Sequence, residues 1–189
     1  MVVSRRIYFG LLAVLVMERL FELWLSRRNK QRALSRGGVE VGTGQYRVMV
    51  AFHTLFIIAC AVGATFRGLW FPPFLSVMAW VGEAGAQAIR YWSVAALGER
   101  WNTRIIVIPN TPPVMLGPYR YIRHPNYAAV VIEIACVPLI QGLLITAAVF
   151  STANAILLAF RINLEERALG NLYQTAFCER PRFIPRILG

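Results

Sequence analysis

No C-x-x-C pair and no metal-like spacing link the three cysteines, Cys60, Cys136 and Cys178, so the sequence predicts neither a disulfide framework nor a metal site. Cys60 and Cys136 sit inside apolar runs, where a thiol behaves as a small hydrophobe. No G-x-G-x-x-G follows a strand, which excludes the common dinucleotide fingerprint. The glycines of "RGGVEVGTG" form a turn signal and not a phosphate cradle. Repeats and low-complexity stretches are also missing. Charge is scarce: 15% of the 189 residues are charged, against 57% hydrophobic. With a mean hydropathy of +0.53, that balance is not the composition of a soluble domain.

What charge there is has one sign. The formal net charge is +11 and the sequence pI about 10.6. A basic chain raises the question of nucleic acid, but these arginines flank apolar runs of membrane length. Juxtamembrane anchoring is therefore the better reading, with no nucleic-acid partner. Arg5 and Arg6 before an apolar run resemble a secretory signal. Glu18, Arg19 and Glu22 interrupt that run and no small-x-small cleavage site follows, so a retained first span is expected.

Five segments approach the ~20 residues needed to cross hydrocarbon. They are residues 7–25, 48–66, 74–97, 127–140 and 143–162, and Gln141-Gly142 joins the last two into a tight helical hairpin. The expected fold class is all-α: one integral membrane domain over 1–189 with about five transmembrane helices. Trp70, Phe71 and Pro72-Pro73 mark an interfacial turn between the second and third. Arginines concentrate in 26–47, 98–126 and after residue 160, Arg186 included, leaving Arg5, Arg6 and Arg67 on the other side. The positive-inside rule then puts those three regions in the cytoplasm. Glu18, Arg19, Glu22, Glu83, Arg90 and Glu133 fall within spans, where ionisable groups should face inward and find partners.

Two clusters carry chemistry. In "GPYRYIRHPNY", residues 117–127, Gly117-Pro118 makes a turn and Pro125 pushes His124 toward extended dihedrals. Asn126 can cap the fourth helix, leaving Tyr119 to His124 as a non-helical strip above its N-terminus. An interfacial belt of aromatic and cationic residues is the plainer account, but a belt does not need a proline-fixed histidine. In "RINLEERAL", residues 161–169, Arg161 and Glu165 share a helix face. Alone, such a pair is a surface ion pair. The hairpin brings it back beside Tyr127.

"GPYRYIRHPNY", an apolar hairpin and "RINLEERAL" together resemble the isoprenylcysteine carboxyl methyltransferase family over roughly residues 90–189. The resemblance implies a small membrane enzyme that uses S-adenosyl-L-methionine to methylate a lipophilic or lipidated substrate. Its cofactor pocket would face the cytoplasm, closed by the loop before the hairpin and by the C-terminal segment. Carried over by position, Tyr119, His124, Pro125, Asn126, Tyr127 and Glu165 hold the cofactor. Arg104 and Val114 fall near further cofactor contacts, although Pro112-Pro113 departs from the family's pattern. Arg161 matches the arginine that faces the acceptor's anion. "ERLFELWLSRRN", "RGGVEVGTGQY" and "LGERWNTRIIVIPNTPP" look like a bacterial subgroup associated with type III polyketide synthases, whose members methylate alkylpyrones. The acceptor expected is therefore an alkylpyrone enol ahead of a prenylcysteine carboxylate, with Trp92, Trp101 and Tyr121 as candidates either to flank its ring or, equally, to anchor the chain at the interface. Two alternatives stand beside this reading. One is an NADPH-dependent sterol or lipid reductase-like enzyme, which carries a similar R-H-P-x-Y stretch. The other is a non-catalytic membrane scaffold.

Overall fold

The computed structural model describes residues 4–66 and 71–184; Arg67, Trp70 and Arg186 lie outside these. Five helices account for most of it: α1 (Arg5–Ser35), α2 (Thr43–Thr65), α3 (Pro73–Leu97), α4 (Pro125–Ile140) and α5 (Leu144–Ala176). Ser4 starts α1 by accepting the Arg6 N–H, and Pro73 opens α3 where a missing N–H costs nothing. α1 runs well past the end of its apolar run, to the first glycines that can stop it, Gly37 and Gly38.

One expectation needs correction. The fold is mostly but not wholly helical, because Val39–Val41 (β1) pairs antiparallel with Ile105–Val107 (β2). This ribbon ties the loop after α1 to the loop after α3. Apolarity also divides the helices unequally. Among the described residues, α2 and α5 are long and apolar enough to cross a membrane, and α4 is a shorter apolar helix. α1 and α3 carry charges inward, among them Glu22, Glu83 and Arg90.

Those charges form the polar interior. Arg90 and Glu133 are 2% and 3% exposed, and their Nη2 and Oε2 lie 2.6 Å apart. Arg19 pairs with Glu22 at 2.7 Å and reaches Glu133 at 3.4 Å. Gln87 donates to Glu83 at 2.7 Å and to Glu133 at 3.2 Å. The network joins α1, α3 and α4. Breaking such a pair strands a buried charge, which costs far more than the pair contributes when intact.

The α4–α5 turn is tight for a stated reason. Gly142 has φ +70°, and a Cβ there would lie 2.6 Å from Phe71 Cβ. At the opposite end of the bundle, α1, the ribbon, the α3–α4 loop and the last turns of α5 converge.

Candidate active site

Pro125 sets the geometry of this end. As the first residue of α4 it makes His124 the N-cap, with φ −128° and ψ 59°. Asn126 is therefore inside the first turn, and the expectation that it caps the helix is wrong: proline's fixed φ starts the helix earlier than expected. The Asn126 Oδ1 is buried without a hydrogen bond. The strip before it is also less irregular than expected, since Gly117–Arg120 form a 3-10 turn.

α5 delivers the second half. Gly170 (φ 68°, ψ −162°) breaks its 33 residues, and the stretch before the break makes about 39 Å at 1.5 Å per residue, still longer than the ~30 Å hydrocarbon core. Residues 161–169 thus extend past the apolar run. The Arg161 Nε donates to the Tyr127 hydroxyl at 2.9 Å, and that hydroxyl donates to Glu165 Oε2. Tyr127 is a neutral bridge between a cation and an anion. Arg161 Nη2 also donates to the Thr103 carbonyl at 2.8 Å, and the arginine is 5% exposed.

A cleft opens beside this chain of bonds. Its wall includes Arg104, Val114, Tyr119, Glu165, Tyr173 and Phe177. Four of the sequence-derived site residues, Arg104, Val114, Tyr119 and Glu165, therefore line it. Arg161, Tyr127 and His124 stand one layer behind, joined to it through Glu165 and Tyr173. His124 Nε2 lies 3.0 Å from Glu166 Oε1, and Glu166 receives Arg182 Nη2 at 2.6 Å. The C-terminal segment is pinned across the strip: Arg123 N–H and His124 N–H donate to the carbonyls of Pro181 and Arg182. Among the described residues Glu165 has no cation within 4.0 Å. Burial first, and the Glu165 charge second, push the Tyr119 phenol above its ordinary pKa, so it remains a neutral donor.

Glu40 governs the ribbon side of the cleft. Lys30 and Arg104 both reach it at 2.5 Å, and Arg104 lies over the Tyr46 ring with its Cζ 3.9 Å from the centroid. Burial raises the carboxyl pKa, but the two cationic hydrogen bonds outweigh it and hold Glu40 below the usual range.

Several residues here escaped the sequence reading. Tyr173 lies beyond the break at Gly170 in α5, so helical spacing from Glu165 does not reach it. Thr103 acts through its carbonyl and leaves no side-chain signal. Trp92, Trp101 and Tyr121 do not line the cleft. Trp101 is buried, while Trp92 and Tyr121 are half exposed with ring centroids 6.4 Å apart, as interfacial anchors are.

An apolar helical bundle closed at its basic end by a polar cleft is a class of architecture and not an activity. The comparisons narrow it. The chain belongs to the isoprenylcysteine carboxyl methyltransferase (ICMT) family, whose model matches residues 81–171. It is 34% identical over 166 residues to the uncharacterized protein YpbQ of Bacillus subtilis (strain 168), covering 86% of this chain and 96% of that one. An uncharacterized protein of Haemophilus influenzae is 26% identical over 159 residues, 82% of this chain and 90% of its own. The family is membrane-bound, and membership implies methyltransferase activity in general.

Proposed function

We propose that the chain is a multi-pass membrane O-methyltransferase that uses S-adenosylmethionine to methylate an anionic oxygen of a lipophilic acceptor. The observation carrying this reading is the Arg161–Tyr127–Glu165 chain, which sets a carboxylate on the cleft wall and a cationic fork one layer behind it without neutralising them directly.

The residues suit the cofactor. Glu165 offers an anion to an ammonium or sulfonium, and Tyr119, Tyr173 and Phe177 offer ring faces; Asn126 Oδ1 is a buried acceptor without a donor, outside the lining of the cleft. When bound, S-adenosylmethionine supplies an electrophilic methyl on sulfur. The acceptor, a carboxylate or an acidic enol, is already ionised at neutral pH, so no general base is required. What remains for the protein is orientation and exclusion of water, which can contribute several kcal/mol of barrier lowering. Arg161 stays charged and presents a planar fork suited to a flat anion. The apolar helices accommodate the tail.

An alkylpyrone enol is favoured over a prenylcysteine carboxylate. Segments that carry the subgroup resemblance, "LSRRN" on α1 and "LGERWNT" after α3, dock on one another beside Arg161. A functional link with a type III polyketide synthase follows from that reading. A side-by-side radiolabel transfer assay with a long-chain 4-hydroxy-6-alkylpyrone and a farnesylated cysteine analogue is expected to label the pyrone faster. Transfer to the farnesyl compound alone would reject the pyrone reading.

The cleft end is assigned to the cytoplasm, because the arginine-rich segments 26–47, 98–126 and 161–182 meet there. α1, α3 and α4 cross with the help of their internal ion pairs. Cysteines introduced at Arg36 and Phe183, in a chain with Cys178 replaced, should resist an impermeant thiol reagent applied to intact cells. Efficient labelling of both from outside would invert the topology.

A further inference from the structure

The chain's first eighty residues all precede the segment that matches the family, yet α1 reaches the wall of the cleft. Beyond its apolar run it buries Ser26 and Asn29, each 2% exposed. Asn29 Nδ2 donates to the carbonyls of Trp101 at 2.8 Å and Gly98 at 3.2 Å. Ser26 Oγ donates to Asn102 Oδ1 at 2.7 Å, lies 2.8 Å from Thr103 Oγ1 and accepts the Thr103 N–H at 3.2 Å. With Thr103 as the hydroxyl donor, the single donor and both lone pairs of Ser26 are engaged. Asn102 answers by donating to the Ser26 carbonyl at 3.1 Å.

This clamp holds one flank of the Thr103 peptide. The other flank is held by Val41 opposite Ile105 in the ribbon and by Glu40 on Arg104. Between the two sits the Thr103 carbonyl that receives Arg161 Nη2 at 2.8 Å. A planar guanidinium with one edge on Tyr127 and another on Thr103 has its plane fixed by these two acceptors.

We infer that Ser26 is a positioning residue: through Thr103 it sets the orientation in which Arg161 meets the acceptor. The inference deepens the proposed function and rests on Arg161 as the acceptor's residue. It gives the N-terminal helix, outside the family-matched segment, a part in methyl transfer. At metal sites, partners that orient a ligand matter by roughly 10- to 100-fold, and an effect at the lower end of that scale is expected for a partner that orients Arg161.

The test compares Ser26→Ala and Ser26→Thr in the purified full chain, with and without Arg161→Lys. Ser26→Ala should lower kcat/KM for the acceptor about tenfold, with cofactor affinity within about twofold of wild type, and Ser26→Thr should recover most of the loss. In the Arg161→Lys background the same change should matter less than about twofold, because an ammonium has no plane to orient. Unchanged kcat/KM, or an equal loss in both backgrounds, overturns the inference. A second readout does not depend on transfer: the NMR signal of the Arg161 Nε–H should shift or broaden in Ser26→Ala. If it stays in place the inference fails. If wild type transfers no methyl to any acceptor, the functional reading falls instead, and this signal decides the positioning alone.

Discussion

Replacing Glu165 by alanine is expected to weaken binding of the demethylated cofactor about 100-fold or more, measured by calorimetric titration of the detergent-solubilised chain. Glu165 lines the cleft, and its near neighbour Arg161 is held off by the Tyr127 hydroxyl. The carboxylate keeps its charge available for a ligand's cation. Hydrogen bonds to charged groups contribute ~1.5–3 kcal/mol, or ~10- to 100-fold, and the alanine variant also leaves the Tyr127 hydroxyl without its acceptor. Glu165→Gln keeps that acceptor and loses the charge, so its affinity should fall between the two. His124→Ala should be milder than Glu165→Ala. His124 stands behind the cleft on Glu166 and Tyr173, and it acts by holding Glu166 and the C-terminal segment in place. Equal thermal stability of the variants would show that the effect is local. Wild-type affinity in Glu165→Ala would remove the proposed pocket.

The helices were legible because apolar runs are long-range averages, insensitive to where a helix caps. Their ends were not. The apolar run that marks the first span ends at residue 25, yet nothing between Ser26 and Ser35 stops a helix. The polar side chains of this stretch find partners in Gly98, Trp101 and Asn102, which sequence spacing cannot reveal. The ribbon was invisible for the opposite reason. Val39–Val41 and Ile105–Val107 are three residues each, too short for alternation to show, and they pair only because α1 and α3 end side by side.

The site divides along the same line. Tyr127 and Glu165 could be joined from sequence, since a hairpin and an i,i+4 pair are local signals. The role of Thr103 could not, because any residue type supplies a carbonyl. Trp92 and Tyr121 left two readings open in the sequence, since aromatic residues near a helix end serve interfaces and ring stacking equally well. Only their outward placement, with Trp92 51% exposed, separates the two.

Arg161 is expected to divide catalysis from cofactor binding. Two of its five N–H donors are used by Tyr127 and Thr103, leaving three for an anion. Arg161→Ala should lower kcat/KM for the acceptor by ~10²–10³, the range for losing a preorganised charged donor, with cofactor affinity within a few fold of wild type. Arg161→Lys should restore less than about a tenth of the loss, since a point charge satisfies one partner at a time. The Tyr127 bridge makes the result informative. Without Arg161 the phenol still donates to Glu165, so the carboxylate keeps its position and the cofactor its partner. Steady-state kinetics beside a titration with the demethylated cofactor measure the two effects separately. If Arg161→Ala lowers cofactor affinity as far as Glu165→Ala does, arginine and carboxylate act as one binding unit through Tyr127, and a residue of the cleft wall itself must hold the acceptor's anion.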